Sequence, residues 1–423
     1  MSLRYARKYG WHSVPNIAAA LLALCTAASA SAGDSDPSMF SFSGFGTAGV
    51  VHSSEDQADF SSSIFKPNGA GYSHTWSTGV DSLIAAQVAA DFTPQLSAVL
   101  QVISEQNHDG TYRPNVEWAN IKYQFTPNFN ARVGRTVLPV FLASDYRKVA
   151  YANPWVRPPL EVYGLVPITG SDGVDVNYSF QAGEFKHTLQ GSYGNNEKKL
   201  TAGNGRGRGK FKRALSISDT VEYDALTLHF AYMQGNLSGS SIHQLFNVFR
   251  QFGPEGVALA EKYDSDATPL SFVGVGASYD PGDWFVMAEG GATDTHSVFG
   301  KKSAWYVSGG YRIGKFTPYL TYARARADHL SDPGLTVSAL PPFLAGPATG
   351  LNAALNSILR GKAVQNTVSI GGRWDFMKNT ALKLQFDRTD VGEGSNGVLF
   401  NTQPGFQPGG KFDVFSVAVD FVF

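Results

Sequence analysis

The chain reads as an all-β protein, a transmembrane antiparallel barrel of sixteen strands with short turns at one end and long loops at the other. Three observations predict it. Segments of about ten residues alternate apolar and polar positions with period two, which sets one face of a strand against the other. Seven short turns and eight long connections alternate strictly along the 423 residues. The last stretch, Lys411 to Phe423 (KFDVFSVAVDFVF), places Phe415, Val417, Val419, Phe421 and Phe423 on one face and Ser416, Ala418 and Asp420 on the other. Beyond the amino-terminal segment there is no run of about eighteen apolar residues, so helical spans are excluded. The alternative is a large soluble all-β protein. A soluble sandwich has no reason to hold every long loop at one end, and a membrane barrel does.

The amino terminus carries Arg4, Arg7 and Lys8, an apolar run from Ile17 to Ala28, and small residues ending Ala30, Ser31, Ala32. That order predicts a secretory signal peptide over residues 1–32, cleaved after Ala32, with Ala30 the alternative. The only cysteine, Cys25, leaves with it, so an exported chain would draw nothing from disulfides. Cleavage removes three cations and no acids, moving the formal charge from −1 to −4 and disfavouring nucleic acid as a partner.

Residues 33–423 form the predicted barrel, opening with a strand over Met39 to Val51. The short turns are DFTPQL (91–96), FTPNF (125–129), FQAGEF (180–185), EYDAL (222–226), YDPGDW (279–284), RIGKFT (312–317) and DFMKNT (375–380). Each sets turn-forming residues between aromatics or aliphatics, as tight hairpins require. The long connections cover roughly 52–74, 106–114, 137–171, 194–212, 236–270, 293–302, 327–363 and 391–410. Helical spacing recurs in two of them, through Ile242, Leu245, Phe246 and Phe249 and through Leu351, Leu355, Ile358 and Leu359. These helices are expected to fold over or into the barrel mouth, or to meet a neighbouring subunit.

Alternation assigns the faces. Val364, Val368, Ile370, Trp374 and Phe376 oppose Gln365, Thr367, Ser369, Arg373 and Asp375, and Leu382, Leu384 and Phe386 oppose Lys383, Gln385 and Asp387. Apolar outside and charged inside demands a wet interior. On this reading Arg132, Arg324, Arg326 and Arg373 line the lumen, with Arg312, Lys122 and Lys383 on further polar faces. Guanidinium groups in a row replace water around carboxylates with bidentate hydrogen bonds. Asp81, Asp91, Asp375, Asp387 and Asp420 also point inward, so a balanced field without selectivity is the competing reading. Small outward residues, Ser82, Ala86 and Ala90, suit either subunit packing or plain lipid contact.

The stretch GRTVLPVFLASDYRKVAYANPWVRPPLEVY, followed by DGVDVNYSF, is too apolar and too rich in Pro and aromatics for a floppy loop. Together with the terminal Phe and its alternating aromatics, it resembles the trimeric, mostly anion-selective or carboxylate-accepting porins of Gram-negative bacteria. The resemblance implies an outer-membrane location, a homotrimer, and passive diffusion of small hydrophilic solutes. It also implies that residues 137–171 fold into the barrel as a constriction loop, bringing Asp145, Arg147, Lys148, Tyr151, Arg157 and Glu161 to the narrowest point. The competing reading is a cap across the mouth. The basic run holding Lys198, Lys199, Arg206, Arg208, Lys210, Lys212 and Arg213 fails the phosphate-loop pattern and suits contact with lipopolysaccharide phosphates.

No nucleophile motif and no His or Cys at metal-ligand spacing occurs, so no catalytic residue, cofactor or metal is expected. Glu161, Asp172 and Asp175 cluster only in sequence. A plugged barrel used for adhesion or assembly and an outer-membrane hydrolase remain the rival functions.

Overall fold

The computed structural model describes residues 38–202 and 205–423, so the expected signal peptide lies outside the described residues. Sixteen long strands run in chain order: β1 (Phe40–Ser53), β2 (Leu83–Asp91), β3 (Leu96–Glu105), β4 (Asn115–Thr126), β5 (Phe129–Val137), β6 (Gly170–Ala182), β7 (Phe185–Ala202) and β8 (Gly205–Tyr223), then β9 (Leu226–Gly239), β10 (Thr268–Tyr279), β11 (Trp284–Thr295), β12 (Lys302–Tyr311), β13 (Phe316–Ala327), β14 (Gln365–Met377), β15 (Thr380–Val391) and β16 (Gly410–Val422). Each pairs antiparallel with its chain neighbours, and β1 also pairs with β16 from Phe45↔Val422 to Ser53↔Val414, closing the cylinder. A two-residue strand, Trp76–Ser77, joins the sheet beside β1.

All seven short turns fall where the sequence puts them. In the tight turns after β8 and β14, Asp224 and Asn379 adopt φ of 49° and 58°, the left-handed backbone that matches strand twist in a hairpin. Outward faces are apolar as expected: Ile217, Val273, Val275, Leu320 and Ile370 are all more than half exposed on the bare barrel. In the membrane, lipid would cover them.

The long connections, numbered L1 to L8 in order, are more structured than their sequences suggest. The expected loop at 194–212 is not one. β7 and β8 extend through it as a hairpin of 18 and 19 residues, because Lys and Arg alternate with small residues at period two there. L3 (138–169) carries the short helix α1 (Leu160–Tyr163); L5 carries α2 (Ser240–Phe249) and α3 (Gly253–Tyr263); L7 carries α4 (Pro342–Arg360). The helical spacing is borne out. The apolar stripes of L5 and L7 meet each other, with Phe246, Phe249, Tyr263, Leu355 and Leu359 buried around Val298 of L6.

The interior is not wet throughout. L3 packs an apolar core against the inner wall, Leu138, Phe141, Trp155, Val162 and Tyr163 meeting Met233, Phe272, Phe285, Tyr306 and Tyr319. Long apolar stretches inside a barrel are stable when a folded-in loop covers them, and simple polar-inside patterning does not anticipate that.

Candidate functional site

L3 is held across the barrel by buried polar clamps. Arg157 donates from Nε and Nη2 to both oxygens of Asp81 (2.9 and 2.6 Å), from Nη1 to Asp387 at 3.2 Å, and from Nη2 to the Ser416 hydroxyl at 2.6 Å. Its guanidinium also lies over the Phe60 ring at 5.1 Å. Burial works against its charge, but the carboxylates of Asp81 and Asp387 outweigh it and hold the group above the ordinary arginine range.

On the same wall Lys383 donates to the carbonyls of Ala150, Asn153 and Trp155 at 2.6, 2.7 and 2.8 Å, and its ammonium lies 2.8 Å from Asp420. Arg373 donates to Tyr151 O at 2.5 Å and covers the Tyr151 ring at 4.6 Å. Glu161 accepts from Gln365 and Thr367 at 2.6 and 2.5 Å, and burial raises its carboxyl. Across the barrel, Trp155 donates from Nε1 to Ser308 at 2.9 Å, and the Leu142 amide donates to Glu289 at 2.7 Å. Two glycines of β10 allow this approach: a Cβ on Gly276 would lie 2.6 Å from the Leu142 side chain, and one on Gly274 would lie 3.2 Å from Val140 O.

Lys148 pairs with Glu105 and, at 3.6 Å, with Glu117. Burial opposes its charge, and the two acids override that cost and raise the ammonium. Arg147 turns into L3 itself, donating to Tyr163 O at 2.7 Å and Val166 O at 3.0 Å, and burial lowers it to about 10.

These placements correct the expected constriction. Arg147, Lys148, Arg157 and Glu161 do not face one another across an opening; each ties L3 to itself or to the wall. Tyr151 and Arg373 clamp one another. Arg324 and Arg326 point away from the lumen, because Tyr319, Thr321, Ala323 and Ala325 are the buried, inward residues of β13. The error has a physical source. The run TYARARA alternates small with large, and the small residues face inward because L3 leaves no room for more. Arg312 sits in the turn after β12, paired with Asp280 at 2.6 Å. Asp91 is an exposed residue at the end of β2. The acids Glu161, Asp172 and Asp175 separate: Asp172 pairs with Arg135 at 2.6 Å, and Asp175 pairs with Arg132 at 2.6 Å.

What stays open is the other side. L3 packs its apolar side against β8 to β13 and its polar clamps reach β14 to β16; it also touches β2 to β4 through Val149 and Lys148, yet on β2 to β7 the inward residues Gln87, Asn120, Lys122, Asn130, Arg132, Asn177 and Gln190 are only half-buried. Facing this polar wall are Asp145 and Tyr146, two of the exposed residues of L3. Asp145 keeps a side open to water, but the protein around it raises its carboxyl, and the nearby Arg132 opposes that rise. Arg132 itself is balanced, since Asp175 also accepts from Asn177 at 2.7 Å and Gln190 at 2.6 Å. Lys122 has no hydrogen-bond or ion-pair partner among the described residues. The Gly-x-Gly spacing of β10 was the available sequence signal for the loop's docking wall. Nothing in sequence marked which arc it would leave bare.

This geometry leaves a partly accessible polar wall on six strands beside one loop edge, with no metal-binding group of His, Cys, Asp or Glu among the described residues. The barrel resembles several solved structures at low identity. They include the anion-selective porin from Comamonas acidovorans (11% identity, 91% of this chain and 99% of that chain, TM-score 0.53) and Salmonella typhi OmpF in complex with daunomycin (12%, 91% and 97%, TM-score 0.54). The outer membrane channel DcaP of Acinetobacter baumannii is similar to the same degree (13%, 91% and 97%, TM-score 0.52). No curated protein matches the sequence. The sequence profile of the Gram-negative porin matches residues 18–394. With a closed sixteen-stranded sheet and a third loop folded within it, the chain belongs to the Gram-negative porin family and is a channel-type barrel of the outer membrane.

Proposed function

We propose that the protein is a homotrimeric, passive diffusion channel for small hydrophilic solutes, with a lean toward anions or carboxylates. The observation that carries this is the division of the lumen: L3 docks its apolar core on one arc, and the inward polar residues of β2 to β7 stay half-buried where it touches them only through Lys148 and Val149. The lean rests on Lys122 and Lys198, two half-buried cations without an ion pair among the described residues, set against the open acid Asp145. Arg324 and Arg326 face outward and contribute nothing to it. Those two lie at the loop end of the outer face beside the paired rings of Trp305 and Tyr322, a setting that suits lipopolysaccharide phosphates. Support for the trimer is the small-residue patch on the outer face where exposed Ala86 lies beside Gly44 and Gly46, over which the Phe421 and Phe423 rings fold, while Ser82 turns back to Gly49. The reading is a channel and not a hydrolase, since the clustered acids of the sequence diverge to separate structural partners.

In planar bilayers the purified protein should give stepwise conductance in multiples of three, and a salt gradient should give a reversal potential on the anion side. Absence of steps would remove the channel reading, and a cation-side potential would remove the lean alone.

A further inference from the structure

L7 and L8 enclose an open cleft of about 500 Å³, in the size range of small-ligand sites. One wall is α4, which presents Thr349, Ser357 and Arg360; the other is L8, with Asn396, Thr402 and Phe406. Two further helix residues are already committed to the scaffold. Asn352 exchanges hydrogen bonds with Leu335 at 2.8 and 2.9 Å, and Asn356 donates to Asp332 O at 2.8 Å, which fixes α4 in place.

The remaining lining is unusual for a loop junction. Arg360 is exposed, and its guanidinium has no hydrogen-bond or ion-pair partner among the described residues. The side-chain amide of Asn396 is equally unpartnered although the residue is only 8% exposed. The rest of Asn396 is packed away, so its amide is held in one place at the cleft wall with its hydrogen-bonding capacity open to a ligand hydroxyl. No acidic residue lines the cleft, and Phe406 supplies an apolar surface.

We propose that this cleft is a capture site for a small hydroxylated carboxylate of the sugar-acid class. Arg360 pairs with the carboxylate, Asn396 and the hydroxyls of Ser357 and Thr402 meet the ring hydroxyls, Thr349, whose hydroxyl donates to Ala345 O at 2.8 Å, can only accept, and Phe406 packs against the apolar ring face. A site outside the barrel would raise the local concentration of such a solute at the entrance. The plain alternative for Arg360 is a cation at a helix carboxyl end, stabilising the dipole and nothing more.

Calorimetric titration of the detergent-purified full-length protein with D-galacturonate separates the two, with D-galactose and acetate as comparisons. The expected result is saturable galacturonate binding, at least tenfold weaker binding of either comparison, and at least a tenfold loss in Arg360→Gln and in Asn396→Ala. Single-channel conductance of both variants in KCl should equal that of the wild type, which shows that the barrel is intact. No galacturonate binding, equal binding of galactose, or unchanged binding in Arg360→Gln would overturn the site. Its failure is distinct from failure of the channel reading, which wild-type conductance alone decides.

Discussion

At the scale of single residues, orientation decides function more than charge does. Arg324 and Arg326 carry full charges, yet they face outward, opposite Trp305 and Ser303 of β12. Replacing both with Gln should leave the reversal potential of the channel where it was. Lys122→Gln should shift it toward cations, since Lys122 is a half-buried lumen cation without an ion pair among the described residues. Recordings under one salt gradient compare the three proteins, and a larger shift from the Arg324 and Arg326 pair would mean that β13 is read with its faces reversed. Asp145 adds a pH dependence. It faces Arg132, Asp175 and Tyr146, and the protein around it lifts its carboxyl above the ordinary aspartate value of about 3.9. Acidification therefore neutralises it earlier than a free carboxylate. Anion preference should rise as pH falls through that raised midpoint, and Asp145→Asn should show the acid-form selectivity at every pH. A wild type whose selectivity is flat from neutral pH to the ordinary aspartate range would exclude Asp145 from the passage.

At the scale of elements, L3 behaves as a packed lid lying on its side, and its clamps set the width of the passage. Arg157 is the clamp that meets two buried carboxylates. Removing it in Arg157→Ala leaves Asp81 and Asp387 as buried carboxylates without their cation, a change worth about 3–5 kcal/mol. The barrel hydrogen bonds remain, so the loss should fall on L3: a lower melting temperature, with larger and noisier conductance steps as the loop leaves the wall. Steps of wild-type size and steadiness would show that L3 is held without this clamp. How much of this was legible beforehand follows from the same physics. Strand rhythm, turn positions and the loop helices each depend on neighbours within a few residues, and all were readable. Which wall L3 would lie on depends on pairs such as Arg157 with Asp387, which are 230 positions apart. Alternation could place Lys383 on the inner face, but it could not show that the ammonium meets loop carbonyls rather than solute. The β7–β8 hairpin was misread for a related reason: its charges suggested a loop, while their period of two belonged to strands.

At the scale of the whole molecule, the seam between β1 and β16 is the contact on which closure depends. A barrel has no edge only once its first and last strands pair. Here Thr47 donates to Asp420 at 2.6 Å across 373 positions. Bringing ends so far apart together costs about 5 kcal/mol of chain entropy by the logarithmic law, so the seam is expected to form late and to need good fit. The fit is visible in the outward packing. The Phe423 ring covers Gly44 and the Phe421 ring covers Gly46, where an added Cβ would approach to 2.3 and 2.4 Å, and the Phe423 amide donates to Gly44 O at 3.0 Å. A one-residue slip would turn both aromatics into the lumen, so these glycines help to fix the register. Gly44→Val, with Phe423 intact, should therefore reduce the fraction that runs as folded, heat-modifiable barrel on an unheated gel, and Gly44→Val with Phe423→Ala should recover part of it by removing the collision. Normal assembly of the single variant would show that the terminal ring is free to move aside, and that closure rests on the backbone ladder from Phe45 to Ser53 alone.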